Sequence, residues 1–158
     1  MATLRSAMPN DLKIHYAIKA NPHPGVVQHM AKLSDGLDLA SHQELLLALS
    51  TGMPPNRISF AGPAKSETEL KAAICAGVEL NVESPLELQR VINIGANLGI
   101  TPHVALRVNA DFELKSAGMR MAGGAKPFGI DAEQIPGIIQ SCLLYTSDAA
   151  DEVFGVGG

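Results

Sequence analysis

Short apolar runs alternate with amphipathic stretches along this chain. The runs are KIHYAIKA (13–20), GLDLA (36–40), RISFAG (57–62), VELNV (78–82) and HVALRVN (103–109). Each is short, partly β-branched and compatible with a strand buried on both faces of a parallel sheet. Between them the apolar residues fall at helical spacing. In PGVVQHMAKL, for example, Val26, Val27, Met30 and Leu33 share one face. Three of the intervening segments open on Ser-x-x-Glu: Ser41 to Glu44, Ser66 to Glu69 and Ser84 to Glu87. That spacing predicts a capping box, in which the Ser hydroxyl accepts from the N3 amide and the Glu reaches back to the N-cap amide. Pro85 then takes the first helical position, where a missing N–H costs nothing. Gly52 and Gly77 stand where the second and third helices need a left-handed terminating residue.

The strands begin about every 21 to 25 residues, so the chain repeats a βα unit. Such repetition means a parallel sheet, either doubly wound or a TIM barrel. No GxGxxG follows the first run, where ANPHPG stands instead, and this favours the barrel. The expected fold is α/β: a partial (βα)8 TIM barrel of about five βα units. A closed barrel takes about 250 residues, and this chain has 158.

Composition narrows the function. With 46% hydrophobic and 18% charged residues and a net charge of -4, the chain is an ordinary globular sequence. It has no basic stripe and no Trp, which argues against nucleic acid and anionic lipid as partners. The histidines (His15, His23, His29, His42, His103) and the two cysteines (Cys75, Cys142) show no metal-ligand spacing, so no metal site is expected. No run reaches the ~18 apolar residues of a membrane span, and the first residues lack a signal-peptide core. A cytoplasmic protein is expected.

Catalytic groups of βα barrels sit at the C-terminal ends of the strands. Here those ends offer Lys19, Asp38, Arg107 and Asn109. A lysine at the end of an apolar strand either reaches solvent or is held in a site that uses its amine. Burial disfavours the charged form of a lysine and makes it the nucleophilic amine that imine chemistry needs. One decoy is rejected: GPAKS (62–66) imitates the end of a phosphate loop, but Ala64 stands where that loop needs Gly. Ser66 is better used as a helix cap.

The stretch YAIKANP resembles the signature of fold-type III pyridoxal-phosphate enzymes, specifically the diaminopimelate and ornithine decarboxylase group. The similarity continues through GLDLASHQEL (36–45), ISFAGPAKSETEL (58–70), LNVESPLEL (80–88) and VALRVN (104–109), and covers roughly residues 12 to 140. FELKSAGMRMAGGAKPFGIDAEQIP (112–136) is most similar to the exosortase-associated variant. Alanine racemases share this barrel and its lysine but continue K-A-N-A-Y-G, whereas this chain reads Lys19-Ala20-Asn21-Pro22. The resemblance implies an alanine racemase-like barrel that binds pyridoxal 5'-phosphate, with Lys19 as the internal-aldimine lysine. It also implies Ala17 beside the cofactor ring, Asp38 near the imine and Arg107 reaching in from the fifth strand. A small amino acid would be the substrate and a homodimer the working form. Glu44 matches a family site position, but its capping role already accounts for it. Lys126 is not assigned the family's cross-dimer role, because Pro127 separates it from Phe128-Gly129. A non-catalytic cofactor-binding barrel and an alanine racemase-like enzyme are the alternatives.

In the family, the phosphate cradle, the ring-nitrogen carboxylate and the substrate-selecting residues follow the part matched here. The chain as given is therefore expected to be about half a barrel with little or no activity of its own. Its last segment is distinct. CLLYTSDAADE (142–152) is, in all eleven residues, the reading-frame translation of a common transposase sequencing adapter. The expected division is a partial pyridoxal-phosphate barrel over 1–141 and an adapter-derived tail over 142–158.

Overall fold

The computed structural model describes residues 2–9, 11–109 and 129–146. Five strands, β1 (His15–Ala17), β2 (Gly36–Leu39), β3 (Ile58–Phe60), β4 (Glu79–Val82) and β5 (Val104–Leu106), form one sheet. They are all parallel and lie in the order of the sequence, β1-β2-β3-β4-β5. A doubly wound sheet reverses its strand order at a switch point. Strict succession without reversal is the wall of a barrel.

Among the described residues six helices accompany them: α1 (Ala2–Ser6) before β1, then α2 (Pro24–Ala31), α3 (His42–Ser50), α4 (Glu67–Ala76) and α5 (Pro85–Leu98) alternating with the strands, and α6 (Ile135–Thr146) last. Side chains alternate across a strand, and the two faces of this sheet differ sharply. Leu37, Leu39, Ile58, Phe60, Leu80 and Val82 are buried and pack against Val27, Leu45, Leu70, Ile74, Leu88 and Val91 of the helices. On the other face the register brings Ala17 beside Asp38, Asp38 beside Ser59, and Asn81 beside Ala105. The apolar face makes the core and leaves the polar face for chemistry. Small size matters on that face too: a Cβ on Gly36 would lie 2.5 Å from the Arg57 carbonyl oxygen and 2.6 Å from the His15 ring.

Several local expectations need correction. The first apolar run is not strand throughout: after Ala17 the chain tightens into a one-turn 3₁₀ helix over Ile18–Ala20, so Lys19 sits on a turn. Leu33 lies beyond the end of α2 and is exposed. The fifth run breaks at Arg107, and its last two residues form a separate strand, β6 (Val108–Asn109). This pairs in parallel with β7 (Ile130–Asp131) as a separate two-stranded sheet, and two residues are too short to show a periodicity. The glycine-rich stretch before Gly129, with Lys126, and residues 147–158 lie outside the described residues. Among the described residues no helix is long and apolar enough to cross a membrane.

The caps are instructive. All three serines accept from their N3 amides. Only Ser66 and Glu69 close the full reciprocal box. Glu44 and Glu87 reach one residue further, to the amides of Ala40 at 2.7 Å and Glu83 at 2.9 Å, and so pin the strand-to-helix loop rather than the cap. Gly52 and Gly77 end α3 and α4 at φ of 76° and 71°, as expected.

Glu69 also accepts from the His42 amide at 3.1 Å, joining the start of α4 to the start of α3. The Ser66 amide foremost, then its hydroxyl and the His42 amide, hold the Glu69 carboxyl below its ordinary range. A carboxyl depressed in the folded state contributes stability above its unfolded pKa and loses it as pH falls through the folded one. Glu69→Gln should therefore lower Tm at neutral pH, and the gap from wild type should close on acidification to below the usual carboxylate range. A gap that stays constant with pH would show that the charge contributes nothing.

Candidate functional site

The turn that carries Lys19 is built from the residues around it. Ile18 is fully buried and anchors it, and the turn packs on β2 and α3. Asn21 closes it: its amide donates to the Ile18 carbonyl at 3.1 Å, and its carbonyl accepts from the Tyr16 hydroxyl at 3.2 Å. The Asn21 side chain then accepts from the His23 amide at 3.1 Å, an Asx turn that aims the chain into α2. His23 caps that helix by accepting from the Gly25 amide at 3.2 Å, and Pro24 occupies the first helical position. The Asn-Pro-His-Pro sequence is thus a helix-starting device placed directly after the lysine.

Lys19 is exposed, not buried. Among the described residues nothing pairs with its amine. Beside it in the wall, Ala17 is in register with Asp38. Asp38 is oriented by two neighbours on the same oxygen: His15 Nδ1 at 3.1 Å and a short hydrogen bond from the Ser59 hydroxyl. Its second oxygen has no partner among the described residues, and its side chain is about half exposed. Arg107 stands where β5 gives way to β6. Its amide donates to the Val82 carbonyl at 2.9 Å and its carbonyl accepts from the Ile130 amide at 2.7 Å. Its guanidinium meets Glu83 at 3.2 Å.

The buried lysine of this rim is a different one. Lys65 is 4% exposed. Its ammonium donates to the carbonyls of Gly62 at 2.5 Å and Asn81 at 2.9 Å, and to both oxygens of buried Glu87 at 3.0 and 3.2 Å. The Phe60 ring lies 5.9 Å away, within cation–π range. The sequence reading assigned neither Lys65 nor Glu83 a role. Glu83 was findable by alternation, since it follows Asn81 by two on the inner face of the fourth strand. Lys65 was not, because two of its acceptors, Asn81 and Glu87, come from other segments of the chain.

Residues 1–144 match the family described as pyridoxal-dependent decarboxylase, pyridoxal binding domain. The chain belongs to this family. It is 39% identical over 132 residues to diaminopimelate decarboxylase of Aquifex aeolicus, covering 82% of this chain and 31% of that one. It is 33% identical over 141 residues to a Staphylococcus aureus decarboxylase of a substituted 2-hydroxybutanedioate, covering 89% and 35%. The chain thus spans about a third of the length of the curated relatives it matches. Among solved structures, diaminopimelate decarboxylase from Helicobacter pylori complexed with L-lysine superposes with a TM-score of 0.77 at 28% identity, covering 92% of this chain and 37% of that one. The enzyme from M. jannaschii with L-lysine gives 0.74 at 31% identity, covering 83% and 32%. These neighbours place the successive parallel wall in the decarboxylase barrel fold.

Removing one member of a buried ion pair strands the other charge. Lys65→Met should cost about 3–5 kcal/mol of unfolding free energy, read by urea denaturation. Lys65→Met/Glu87→Gln should lose less than the single variant, because no unpaired charge remains and the carboxamide oxygen introduced at position 87 can still accept from the Glu83 amide. A single variant within about 1 kcal/mol of wild type, the range of an exposed pair, would contradict the buried pairing.

Proposed function

We propose that this chain is the cofactor-binding part of a pyridoxal-phosphate-dependent amino-acid decarboxylase, with Lys19 as the residue that carries the cofactor. One observation carries the reading. Of the two lysines at the rim, Lys65 has every donor engaged, whereas Lys19 presents an exposed, unpartnered amine among the described residues.

The residues present fit pyridoxal phosphate. Its aldehyde needs an accessible amine, which Lys19 supplies. Ala17 offers a small surface next to the lysine turn, and Asp38 offers one open carboxylate oxygen held in orientation by His15 and Ser59. Arg107 supplies a cation for the cofactor's polar groups. When bound, the cofactor supplies the electron sink for the pair left behind as CO2 departs from an α-amino acid. The contribution of the chain itself is positional. Ile18 and Asn21 fix the turn, and the Asp38 negative charge favours a cationic nitrogen near the lysine. The alanine leaves room on the inner face.

Decarboxylation belongs to the whole protein, of which this chain spans about a third by comparison with its relatives. The substrate class is a small amino acid, with diaminopimelate the first to try. A cytoplasmic homodimer is part of the same reading, on resemblance alone. Residues 1–141 are the partial cofactor barrel in this reading, and 142–158 the adapter-derived tail. α6 runs across that boundary to Thr146, and the apolar Cys-Leu-Leu of the adapter peptide is compatible with continuing a helix begun at Ile135.

Incubating the purified chain with pyridoxal phosphate, reducing it with borohydride and mapping its peptides should place the label on Lys19. Lys65 should stay unlabelled, Lys19→Ala should abolish specific uptake, and no CO2 should be released from diaminopimelate by this chain alone. Equal labelling of surface lysines that survives Lys19→Ala would sink the assignment. For the tail, sequencing the source DNA across codons 136 to 158 should show a genomic frame that departs from CLLYTSDAADE. Genomic codons for that peptide would overturn the division.

A further inference from the structure

Glu83 is a buried carboxylate that the helix following it does not need. It follows β4 directly and its side chain is 1% exposed. The start of α5 does not need it, since Ser84 caps that helix and Glu87 secures the loop amide. Burying a carboxylate is costly unless every oxygen is engaged. Both are: Oε1 accepts from the Gly62 amide at 2.7 Å, and Oε2 meets Arg107 Nη1 at 3.2 Å.

The carboxylate is itself immobilised from behind. Its own amide donates to Glu87 Oε2, the oxygen that also receives Lys65. The sequence of groups Lys65, Glu87, Glu83, Arg107 therefore runs from three buried side chains out to a guanidinium that is 41% exposed. Arginine carries several rotatable bonds, and a half-exposed one loses rotamer freedom only if something holds it. Here a fixed carboxylate holds one nitrogen of a planar fork that still meets solvent over part of its surface.

We propose that Glu83 is a positioning residue: its carboxylate, locked by the Gly62 amide and the Lys65–Glu87 pair, sets the direction in which Arg107 presents its guanidinium to the cofactor. This rests on the reading that Arg107 meets the cofactor. Glu83→Gln preserves shape and the acceptor for Gly62, but removes the charge that holds the arginine.

Two readouts on the full chain separate the proposal from that reading. The Arg107 Nε–H signal in NMR, assigned with Arg107→Lys, should be protected and dispersed in wild type. In Glu83→Gln it should shift and lose protection, with little change in Tm. Pyridoxal phosphate affinity, from absorbance titration, should fall by roughly tenfold, the lower end of what losing an outer-shell partner costs at sites whose ligands are held this way. Arg107→Lys should weaken binding similarly, and adding Glu83→Gln to it should weaken binding no further. An Arg107 signal unchanged by Glu83→Gln overturns the positioning role whatever the cofactor does. So does an unchanged affinity in Glu83→Gln when Arg107→Lys weakens binding. A wild-type chain that takes up no pyridoxal phosphate while its Arg107 signal responds to Glu83→Gln overturns the cofactor reading and the proposed purpose of the contact. The contact itself would stand.

Discussion

The rim between β3 and α5 depends on one buried cation. The Lys65 ammonium lies where the loop after β3, the end of β4 and the first turn of α5 converge. Its three donors are spent on the Gly62 carbonyl, the Asn81 carbonyl and the Glu87 carboxylate. A charge 4% exposed is tolerable only because those acceptors surround it. The same demand ties the loop after β3 to β4 and α5. Glu87 spends its remaining capacity on the Glu83 amide, and Glu83 on Gly62 and Arg107. The rim is stiff because its charges cannot be left unpaired.

This stiffness complements the division of labour between the two faces of the sheet. Because the strands succeed one another without reversal, the described helices that pack on the wall share one of its faces. The apolar residues of each strand all turn to that face. The opposite face is relieved of core-building and carries Asp38, Ser59 and Asn81 among alanines. Carboxylates at the helix starts then hold the loops that cross the rim: Glu44 on Ala40, Glu69 on His42, and Glu87 on Glu83. What the sequence displays as a repeated capping motif is, in two of three cases, a device for fixing the loop that precedes the cap.

Much of the fold was legible because it follows from short-range rules. The five apolar runs, the serine caps and the terminating glycines each depend on neighbours within a few residues. The rest was hidden for definite reasons. The end of the first strand could not be placed, because a 3₁₀ turn and a strand are equally compatible with Ile18-Lys19-Ala20. The break at Arg107 depends on its pairing with Ile130, more than twenty residues away. In the site, Lys19, Asp38 and Arg107 were named from resemblance, and the register brings Ala17 and Asp38 together. Lys65 was met only as part of a rejected nucleotide loop. Ser66 does cap α4, and the lysine before it carries no local pattern that marks it as buried.

The two lysines also resolve an assumption about how a nucleophilic amine is made. Burial is one general route to a nucleophilic lysine, but Lys19 is named from resemblance. The structure buries Lys65 and exposes Lys19, the lysine proposed to carry the cofactor. A buried lysine with three acceptors in contact has its nitrogen fully committed to donation, and attack would require breaking every bond that holds the rim together. An exposed lysine on a short turn anchored by Ile18 has the opposite character: the backbone is fixed and the amine has no partner among the described residues. Desolvation of such an amine can then come with the cofactor rather than precede it, because an arriving ring covers what the protein leaves open. In the proposed site the buried lysine frames the reaction and the exposed one takes part in it.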